Sequence, residues 1–322
     1  MILPFHSFLK NQILARAGYR LKLIGMTTPP VCDYEGSDYQ RRFWEEGGRA
    51  YEDAAEALAL KKLLPSGGRR LLELGAGAGR NTPRYVGFKE VVLVDYSTTQ
   101  LAQAIERLGK HERYRFFAAD IYRLPFAPAS FDAATMIRTL HHLSEPARAL
   151  AQVRGCLSGG AFFLLEFANK RNLKSLLRYL TGRQNWSPFS REAVEFAELN
   201  FDFHPKSVKR LLRENGFLIE RQISVSYLRT DFFKRHFSLQ RLMDLERFLQ
   251  NFFSWTAYSP SIFLRTTADG SSSALSDSLV LRCPACGHFP LADTPPQITC
   301  EVCGRSYALK DGIYDFRLKD EL

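Results

Sequence analysis

The sequence predicts an α/β fold: a doubly wound, mostly parallel sheet of seven strands with helices on both faces, followed by a small C-terminal module that contains four cysteines. Short apolar segments alternate with amphipathic ones between residues 61 and 268, which is typical of repeated strand–helix units. A glycine-rich turn follows the first apolar segment, and the four cysteines lie in two CxxC pairs after residue 281. These observations predict one large α/β domain and one small module.

The composition is that of an ordinary folded protein. Of the 322 residues, 45% are hydrophobic and 24% are charged, which excludes wholesale disorder and collagen-like repeats. No apolar run approaches the roughly 18 residues that span a bilayer, and the basic opening stretch lacks the features of a secretory signal. We therefore expect a cytoplasmic protein and interpret the retrieval-like tail Lys319–Leu322 as coincidental. The formal charge of +10 favours anionic partners.

Changes in composition divide the chain into four parts. Residues 1–60 are predicted to form an N-terminal helical cap or lid, and residues 61–268 form the large α/β domain. The tract at 269–280 reads DGSSSALSDSLV, which is typical of a flexible linker. Residues 281–322 are punctuated by glycine and proline and form the module that carries the four cysteines.

Periodicity assigns the elements of the large domain. Dense Val and Leu mark residues 90–95 (EVVLVD) as a buried parallel strand. Leucine and isoleucine at helical spacing mark the helix that follows it, and Asn215-Gly216 is a helix stop signal. The predicted strands cover residues 70–75, 90–95, 114–119, 131–137, 160–167, 217–226 and 261–267, and the predicted helices cover 79–87, 98–109, 146–157 and 205–215.

The glycine-rich turn lies between the first strand and the next predicted helix. Gly75, Gly77 and Gly79 alternate with other residues there, so the backbone can bend sharply and approach a ligand. The helix after the turn is expected to present free N–H groups. The third glycine comes too early for the Gly-x-Gly-x-x-Gly of a dinucleotide site. Asp95 and Asp120 end the next two strands, where carboxylates can accept ribose hydroxyls and an adenine amino group.

These segments resemble the class I S-adenosylmethionine-dependent methyltransferases. The resemblance rests on ELGAGAGR at 73–80, VLVDYS at 92–97, AADIYRLPF at 118–126 and FDAATMIRTLHHLSEP at 131–146, and it covers roughly residues 40–267. The last of these segments is most similar to the small-molecule and quinone methyltransferase branch. The resemblance implies a methyltransferase sheet with S-adenosylmethionine as cofactor, and a cofactor-binding set that comprises Glu73, Gly75, Ala76, Gly77, Gly79, Asp95, Tyr96, Asp120 and Ile121.

Three side chains are candidate bases for deprotonating a methyl acceptor. His141 and His142 follow the fourth strand and Glu166 ends the fifth, so all three are expected at the carboxyl edge of the sheet, where such sheets bind ligands. The alternative for each is a structural role in packing or capping. Neither an Asn/Asp-Pro-Pro-aromatic motif nor a Pro-Cys pair follows the fourth strand. Their absence argues against base amino groups, glutamine amides and cytosine C5 as acceptors.

Two basic segments and one aromatic segment are candidate contacts of the acceptor or the cofactor. Residues 169–191 carry six cations and no acid, so we expect them to recognise an anionic acceptor such as RNA phosphates, a carboxylate or a lipid headgroup, unless they form a solvated helix face. The first 22 residues suit either a membrane surface or packing on their own domain. A candidate aromatic lid, with ordinary packing as the alternative, comprises Tyr39, Phe43, Trp44 and Tyr51.

The two CxxC pairs predict a zinc ribbon with a structural Zn²⁺. Four thiolates complete a tetrahedral site with no open position, and a module of about 40 residues needs such a metal to fold. The module resembles the small zinc-ribbon activators that pair with tRNA, rRNA and protein methyltransferases. With five basic and six acidic residues over 282–322, it is expected to activate, to hold the cofactor domain or to dock a protein rather than to bind RNA. The predicted ligands are Cys283, Cys286, Cys300 and Cys303.

The leading hypothesis from the sequence is S-adenosylmethionine-dependent methyl transfer to an oxygen, nitrogen or carbon nucleophile of a small-molecule or lipid-like acceptor. One alternative is an RNA methyltransferase, which the ribbon and the basic insertion favour. The other is a non-catalytic, cofactor-binding adapter that recruits a protein partner through the ribbon. Because acceptor pockets are built from loops, the sequence alone leaves the choice open.

Overall fold

A computed structural model describes residues 29–32, 34–37, 40–271 and 275–318, and Pro30–Leu318 form one compact unit. Within the described part of the chain, twelve strands form one large sheet and one hairpin. The strands are β1 (Gly68–Leu74), β2 (Phe88–Asp95), β3 (Tyr114–Ala118), β4 (Phe131–Met136), β5 (Leu157–Ala168), β6 (Val194–Ala197), β7 (Asn200–Asp202), β8 (Phe217–Val225), β9 (Ser261–Ala268), β10 (Gln297–Thr299), β11 (Ser306–Lys310) and β12 (Ile313–Asp315).

Seven α-helices accompany these strands in the same described ranges. Both faces of the sheet carry a buried apolar core, as expected for a doubly wound sheet whose central strands are apolar on both sides. The helices are α1 (Ala50–Leu63), α2 (Thr98–Leu108), α3 (Pro146–Cys156), α4 (Leu173–Leu180), α5 (Pro205–Glu214), α6 (Asp231–His236) and α7 (Leu239–Phe252).

The large sheet has the strand order β10-β11-β12-β3-β2-β1-β4-β5-β9-β8. Strands β3, β2, β1, β4 and β5 are parallel, whereas β9 runs antiparallel to both β5 and β8. All seven predicted strands are confirmed. The predicted number of seven for the sheet is wrong, because the described residues place ten strands in it. The additional three come from the C-terminal module, whose β12 pairs in parallel with the otherwise open edge of β3.

The predicted helix over 79–87 is also wrong. A single 3₁₀ turn, Thr82–Arg84, replaces it, so no helix N-terminus follows the glycine turn. The reason lies in the side chains, because the hydroxyls of Thr82 and Tyr85 both point inward to the carboxylate of Glu73. Pro83 also lacks the N–H that a regular helix would use beyond its first turn. The predicted helices over 98–109, 146–157 and 205–215 are present with similar bounds.

Some of the predicted features fall outside the described residues. These are the amphipathic segment within the first 22 residues, Tyr39 of the candidate aromatic lid, and the tail Lys319–Leu322. Where the structure does describe the chain, it contains no helix that is both long and apolar enough to cross a membrane.

Candidate functional site

A pocket opens at the carboxyl ends of β1, β2 and β4, where parallel sheets bind ligands. Seven of the nine residues in the predicted cofactor-binding set line it: Glu73, Gly75, Ala76, Gly77, Asp95, Tyr96 and Ile121. Gly79 and Asp120 are not among the lining residues. Topology therefore brings most of the set together, since successive strand ends meet at one edge of the sheet.

The glycine turn is shaped by two close approaches. Gly75 has a φ of +65°, and a Cβ at this position would lie 2.0 Å from the Oγ1 of Thr139, so only glycine fits there. Gly77 has a φ of +52°, and its N–H donates to Oδ2 of Asp95 at 2.8 Å. The second oxygen of Asp95 accepts the N–H of Ser97 at 3.0 Å. The Asp95 carboxylate thus holds the glycine turn against the end of β2 while it lines the pocket.

Gly79 and Asp120 have local structural roles. At Gly79, with a φ of +69°, a Cβ would lie 3.1–3.3 Å from Leu108, Ala104 and Thr82, so this glycine permits close packing on α2. The Asp120 carboxylate accepts the N–H of Tyr122 at 2.9 Å, and burial raises its pKa. Contacts of either residue with a cofactor stay a prediction.

Glu73 is a buried carboxyl at the end of β1. It accepts hydrogen bonds from the hydroxyls of Thr82 at 2.6 Å and Tyr85 at 3.2 Å. Burial disfavours its charged form and raises its pKa to about 7, although these two donors and the cation of Arg80 oppose the shift. The side chain therefore holds a proton over the acidic range in which an exposed glutamate is ionised.

This shift predicts a pH dependence of stability. Because the folded state holds the Glu73 proton up to about pH 7 and the unfolded chain releases it near pH 4.5, stability falls as pH rises between these values. The Glu73 contribution amounts to about 3 kcal/mol. We expect the free energy of unfolding of the wild type, relative to Glu73→Gln, to fall by this amount between pH 4.5 and 7 in denaturant titrations. A difference that stays constant over this range would contradict the prediction.

His142 is the predicted base that faces the pocket. Its Nδ1 lies 3.0 Å from the carbonyl oxygen of Leu199, and its Nε2 lies 3.3 Å from the hydroxyl of Tyr34. A carbonyl can only accept, so Nδ1 carries the proton and Nε2 presents its lone pair to the Tyr34 hydroxyl. Burial lowers the pKa of His142, which keeps the ring neutral at neutral pH. This arrangement provides a proton acceptor at the pocket wall.

The other two candidate bases lie outside the lining of the pocket. The ring centroid of His141 lies 4.0 Å from that of His142, and its buried Nδ1 has no hydrogen-bond partner among the described residues. Burial, with the neighbouring His142 and Arg138, lowers the pKa of His141 well below its usual value. Glu166 accepts the N–H of Arg138 at 2.8 Å and the hydroxyl of Ser261. One oxygen of Glu166 thus holds the loop after β4, and the other binds the start of β9.

An ion-pair cluster supports the pocket wall, and sequence reasoning missed it. The buried carboxylate of Glu56 on α1 pairs with both Arg80 and Arg138, and these two cations hold the pKa of Glu56 below its usual value against the effect of burial. Trp44 stacks on the same cations, with ring centroids 3.5 Å from the Arg80 guanidinium carbon and 4.6 Å from that of Arg138. Arg80 also pairs with Asp53. The helix α1 is thereby fixed to both the glycine turn and the loop after β4.

Of the candidate aromatic lid, Trp44 lines the pocket, whereas Tyr51 is a core residue that donates to Glu246 at 2.6 Å. Several other lining residues were not singled out from the sequence, because they come from a short stretch before α1, from loops and from the first turn of α2. No spacing rule marks these residues in the sequence. The available signal is position: Arg138 and Thr139 come directly after the end of the predicted fourth strand. These other lining residues include Val31, Cys32, Tyr34, Gln100, Arg138 and Thr139.

The four predicted zinc ligands form one cluster. All four Sγ atoms lie within 4.8 Å of one another, and the distances Cys283–Cys303 and Cys286–Cys300 are both 3.6 Å. A tetrahedral Zn²⁺ with bonds of about 2.3 Å separates its sulfurs by about 3.8 Å, so the cluster has the size of such a site and not that of disulfides. The hydroxyl of Tyr307 lies 3.0 Å from Cys283 Sγ, as an outer-shell donor to a thiolate would.

The C-terminal module packs directly on the cofactor domain. Beyond the β12–β3 pairing, the N–H of Phe316 donates to Ala118 O at 2.8 Å. The ring of Tyr314 stacks on Phe117 with centroids 4.7 Å apart. Leu281, on the module's first strand-like segment, forms a bridge with Phe126. The module and the cofactor domain therefore share one hydrophobic core.

One side chain of the module reaches the pocket wall. The guanidinium of Arg317 donates to Tyr96 O at 3.2 Å and pairs with Asp315 at 2.8 Å and with Glu35 at 3.4 Å. Glu35 in turn accepts the N–H groups of Thr98 and Thr99 at the start of α2. The end of the module is thus linked to Tyr96 and to the segment that contains Tyr34, both of which line the pocket.

Comparisons with known proteins agree with this architecture. Residues 72–165 match the family model described as a methyltransferase domain. Demethylmenaquinone methyltransferase from Renibacterium salmoninarum is 36% identical over 106 residues, which cover 32% of this chain and 43% of that protein. The chain spans about half the length of the curated relatives that it matches.

Two solved structures are similar to this chain. One, from Listeria monocytogenes and described as an S-adenosylmethionine-dependent methyltransferase, has a TM-score of 0.50 at 18% identity and covers 68% of this chain and 99% of its own. The other comes from the complex between the Haloferax volcanii Trm112 methyltransferase activator and a methyltransferase. It has a TM-score of 0.52 at 14% identity, and the match covers 75% of this chain and 100% of that chain. The family match confirms the prediction of a methyltransferase domain over residues 72–165, and the two solved structures agree with this chain in fold.

Proposed function

We propose that the protein transfers a methyl group from S-adenosylmethionine to a small or lipid-like acceptor that enters beside His142. The observation that carries the proposal is the pocket itself, in which the Asp95 carboxylate and the glycine turn form one wall and His142 belongs to another, with its unprotonated Nε2 toward the Tyr34 hydroxyl. Methyl transfer needs a held cofactor, an aligned nucleophile and a proton acceptor, and these residues fit that set.

The residues present fit S-adenosylmethionine. Asp95 offers carboxylate oxygens for ribose hydroxyls, Ile121 is an apolar wall suited to adenine, and Glu73 and Gly75 lie at the expected methionine end. When bound, the cofactor supplies an electrophilic methyl group on a sulfonium sulfur. The same pocket edge holds Trp44 on the Arg80 and Arg138 guanidinium groups, so stacking and the ion pairs with Glu56 hold this wall in place.

His142 takes the acceptor proton in the proposed reaction. The acceptor nucleophile would receive the methyl group that the bound cofactor supplies, and the proton of the nucleophile would pass to Nε2 of His142. The Leu199 carbonyl accepts from Nδ1–H, which orients the ring and stabilises the imidazolium that forms. The Tyr34 hydroxyl marks the position of the acceptor group, because it occupies the hydrogen-bonding direction of Nε2.

Replacing His142 by glutamine is expected to lower kcat by about 100-fold with little change in the KM for S-adenosylmethionine, since a general base contributes about that much. The pKa of His142 lies below 6.5, so the wild-type kcat should stay level above neutral pH and fall only in more acidic solution. His141→Gln is the matched control and should have a much smaller effect. An unchanged kcat in His142→Gln would rule out this base.

The choice of acceptor class is supported by the relatives and by the sequence. The named relative acts on demethylmenaquinone, and motifs for base amino groups and cytosine C5 are absent after β4. The test is transfer of a labelled methyl group into RNA, protein and organic-extractable pools from cells. We expect label in the organic-extractable pool. Label confined to RNA or protein would overturn the acceptor class, and cofactor binding without any labelling would favour the adapter.

For the C-terminal module we propose a structural zinc ribbon that positions the pocket wall in cis. The support is the size of the thiol cluster, the β12–β3 pairing and the contacts of Arg317. One of the similar structures belongs to a complex with a methyltransferase activator. In this chain a strand of the ribbon itself pairs with the edge of β3.

A further inference from the structure

The insertion after β5 carries an amphipathic helix whose apolar side is exposed. Leu173, Leu177 and Leu180 lie on one side of α4, at spacings of four and three residues, and they are 56%, 54% and 74% exposed. More than half of the surface of each of these side chains is therefore exposed. Exposed leucines in this number on one short helix require an explanation, because single exposed ones are ordinary but contiguous ones mark an interaction surface.

A row of cations follows the same side of the insertion. Arg171, Lys174 and Arg178 are spaced by three and four residues, beside the leucines. The segment 169–191 contains no acid. An apolar row flanked by a cationic row is the pattern of a helix that lies at the interface of an anionic bilayer.

The apolar surface continues into the turn before β9. The N–H of Leu173 donates to Tyr258 O at 2.9 Å, and the guanidinium of Arg171 lies 5.1 Å from the ring of Tyr258. Trp255, three residues earlier in the same turn, is 81% exposed. Tryptophan and tyrosine beside cations are characteristic of the water–hydrocarbon boundary of membranes.

The helix α7, which leads into this turn, has apolar residues on two sides. One side packs against α1 and includes the buried Leu242. The other side presents Leu245, Phe248 and Phe252, all exposed, with the rings of the last two 4.9 Å apart. A helix that is apolar on both sides but covered on only one has a second partner to bind. We define the bilayer face as Leu173, Leu177, Leu180, Phe248, Phe252, Trp255 and Tyr258 together with Arg171, Lys174 and Arg178.

The same insertion reaches the methyltransferase pocket. Leu199 lies in the turn of its β6–β7 hairpin, and the Leu199 carbonyl accepts from Nδ1 of His142. The backbone N–H of Lys170 donates to Phe203 O at 3.0 Å, which ties the start of the insertion to its end. One continuous segment therefore contains both α4 and a contact of the proposed base.

We propose that the bilayer face docks on an anionic lipid membrane, from which a lipid-soluble acceptor reaches His142. The acceptor route rests on the proposed function, whereas the docking does not. Charge complementarity favours the anionic bilayer, and the exposed leucines and aromatic side chains grouped with these cations are suited to acyl chains.

The test is co-sedimentation of the full chain with vesicles of phosphatidylcholine containing phosphatidylglycerol, and with vesicles of phosphatidylcholine alone. We expect binding to the anionic vesicles that weakens with salt, and at least a tenfold loss in Leu177→Asp/Leu180→Asp and in Lys174→Glu/Arg178→Glu. Matched controls are Val86→Asp, an exposed apolar residue before β2, and Lys89→Glu, an exposed cation. All these positions are exposed, so folding should be preserved, as melting curves would verify.

Three outcomes would overturn the proposal. The first is failure to bind anionic vesicles, or equal losses in variants and controls. The second is a dimer in analytical ultracentrifugation that Leu177→Asp/Leu180→Asp dissociates, which would assign the face to a second copy. The third is a photo-crosslinker at position 177 that captures residues 1–28 without vesicles. Vesicle binding with no labelled lipid-soluble product would instead contradict the acceptor class and leave the docking intact, so the two failures are distinguishable.

Discussion

Replacing Asp95 by alanine is expected to weaken the binding of S-adenosylmethionine at least 100-fold and to abolish methyl transfer at ordinary cofactor concentrations. Hydrogen bonds to a charged group contribute about 1.5–3 kcal/mol each, and a carboxylate that accepts two ribose hydroxyls would lose both. The substitution also frees the N–H groups of Gly77 and Ser97, so the glycine turn loses its attachment to β2. Isothermal titration calorimetry measures the affinity directly.

A matched control separates the loss of a ligand contact from the loss of structure. Asp132, at the start of β4, also accepts two backbone N–H groups, those of Arg69 at 2.7 Å and Arg70 at 2.8 Å, but it does not line the pocket. Asp132→Ala should lower the free energy of unfolding by about 1–2 kcal/mol, as much as the loss of the two backbone hydrogen bonds in Asp95→Ala does. It should leave the affinity for S-adenosylmethionine nearly unchanged. Equal affinity losses in the two variants would mean that Asp95 acts only through the stability of the turn.

The strand ends of the site could be predicted from the sequence because they depend on local patterns. Dense apolar residues define β2, and its end at Asp95 follows directly from the change to polar residues. Parallel strands then place Asp95 and Glu73 at one edge without any knowledge of their contacts. The cysteine cluster was predictable for the same reason, since two tight CxxC turns determine which sulfurs meet.

The features that sequence reasoning missed depend on contacts between distant residues. The helix expected over 79–87 is absent because Thr82 and Tyr85 bind Glu73, a tertiary contact that overrides local helical spacing. Stacking of Trp44 on Arg80 and Arg138 joins three separate segments. No periodicity encodes such contacts.

The tract at 269–280 illustrates the same limit for domain organisation. Its small polar residues are typical of a flexible linker, yet Asp277 accepts from Arg69 at 2.7 Å and Val280 O accepts from Ala127 at 3.0 Å. The pairing of β12 with β3 could not be predicted from the sequence either, because an edge strand and a paired strand have the same apolar pattern. Ten strands instead of seven result from that one pairing.

Loss of the proposed zinc site is expected to have the second large effect, which is on stability. Cys300→Ser removes one buried thiol of the proposed zinc site, and structural zinc accounts for most of the folding free energy of such small modules. If the substitution lowers the free energy of unfolding of the whole unit by about 5 kcal/mol, Tm falls by roughly 10 °C or more. The unpaired edge of β3 would then be exposed, and exposed edges promote aggregation. Differential scanning calorimetry, with and without a zinc chelator, measures the change.

Cys156→Ser is the matched control, because Cys156 is also buried but lies outside the cluster. It should lower stability by about 1 kcal/mol and give the same response to chelator as the wild type. The zinc content of the purified protein should be one ion per chain in the wild type and in Cys156→Ser, and less in Cys300→Ser. Equal Tm values for Cys300→Ser and Cys156→Ser would contradict a structural zinc.

Arg317→Ala distinguishes a ribbon that only stabilises from one that also positions the pocket wall. This variant keeps the four thiols and the β12–β3 pairing, but it removes the contacts with Tyr96 O, Glu35 and Asp315. We expect unchanged zinc content, a small loss of Tm, and about tenfold weaker binding of S-adenosylmethionine, since the segment with Tyr34 and the start of α2 lose a shared partner. A purely stabilising ribbon predicts unchanged affinity in Arg317→Ala, because the fold and the metal both remain. An affinity loss at constant zinc content therefore assigns the ribbon a direct part in forming the cofactor site.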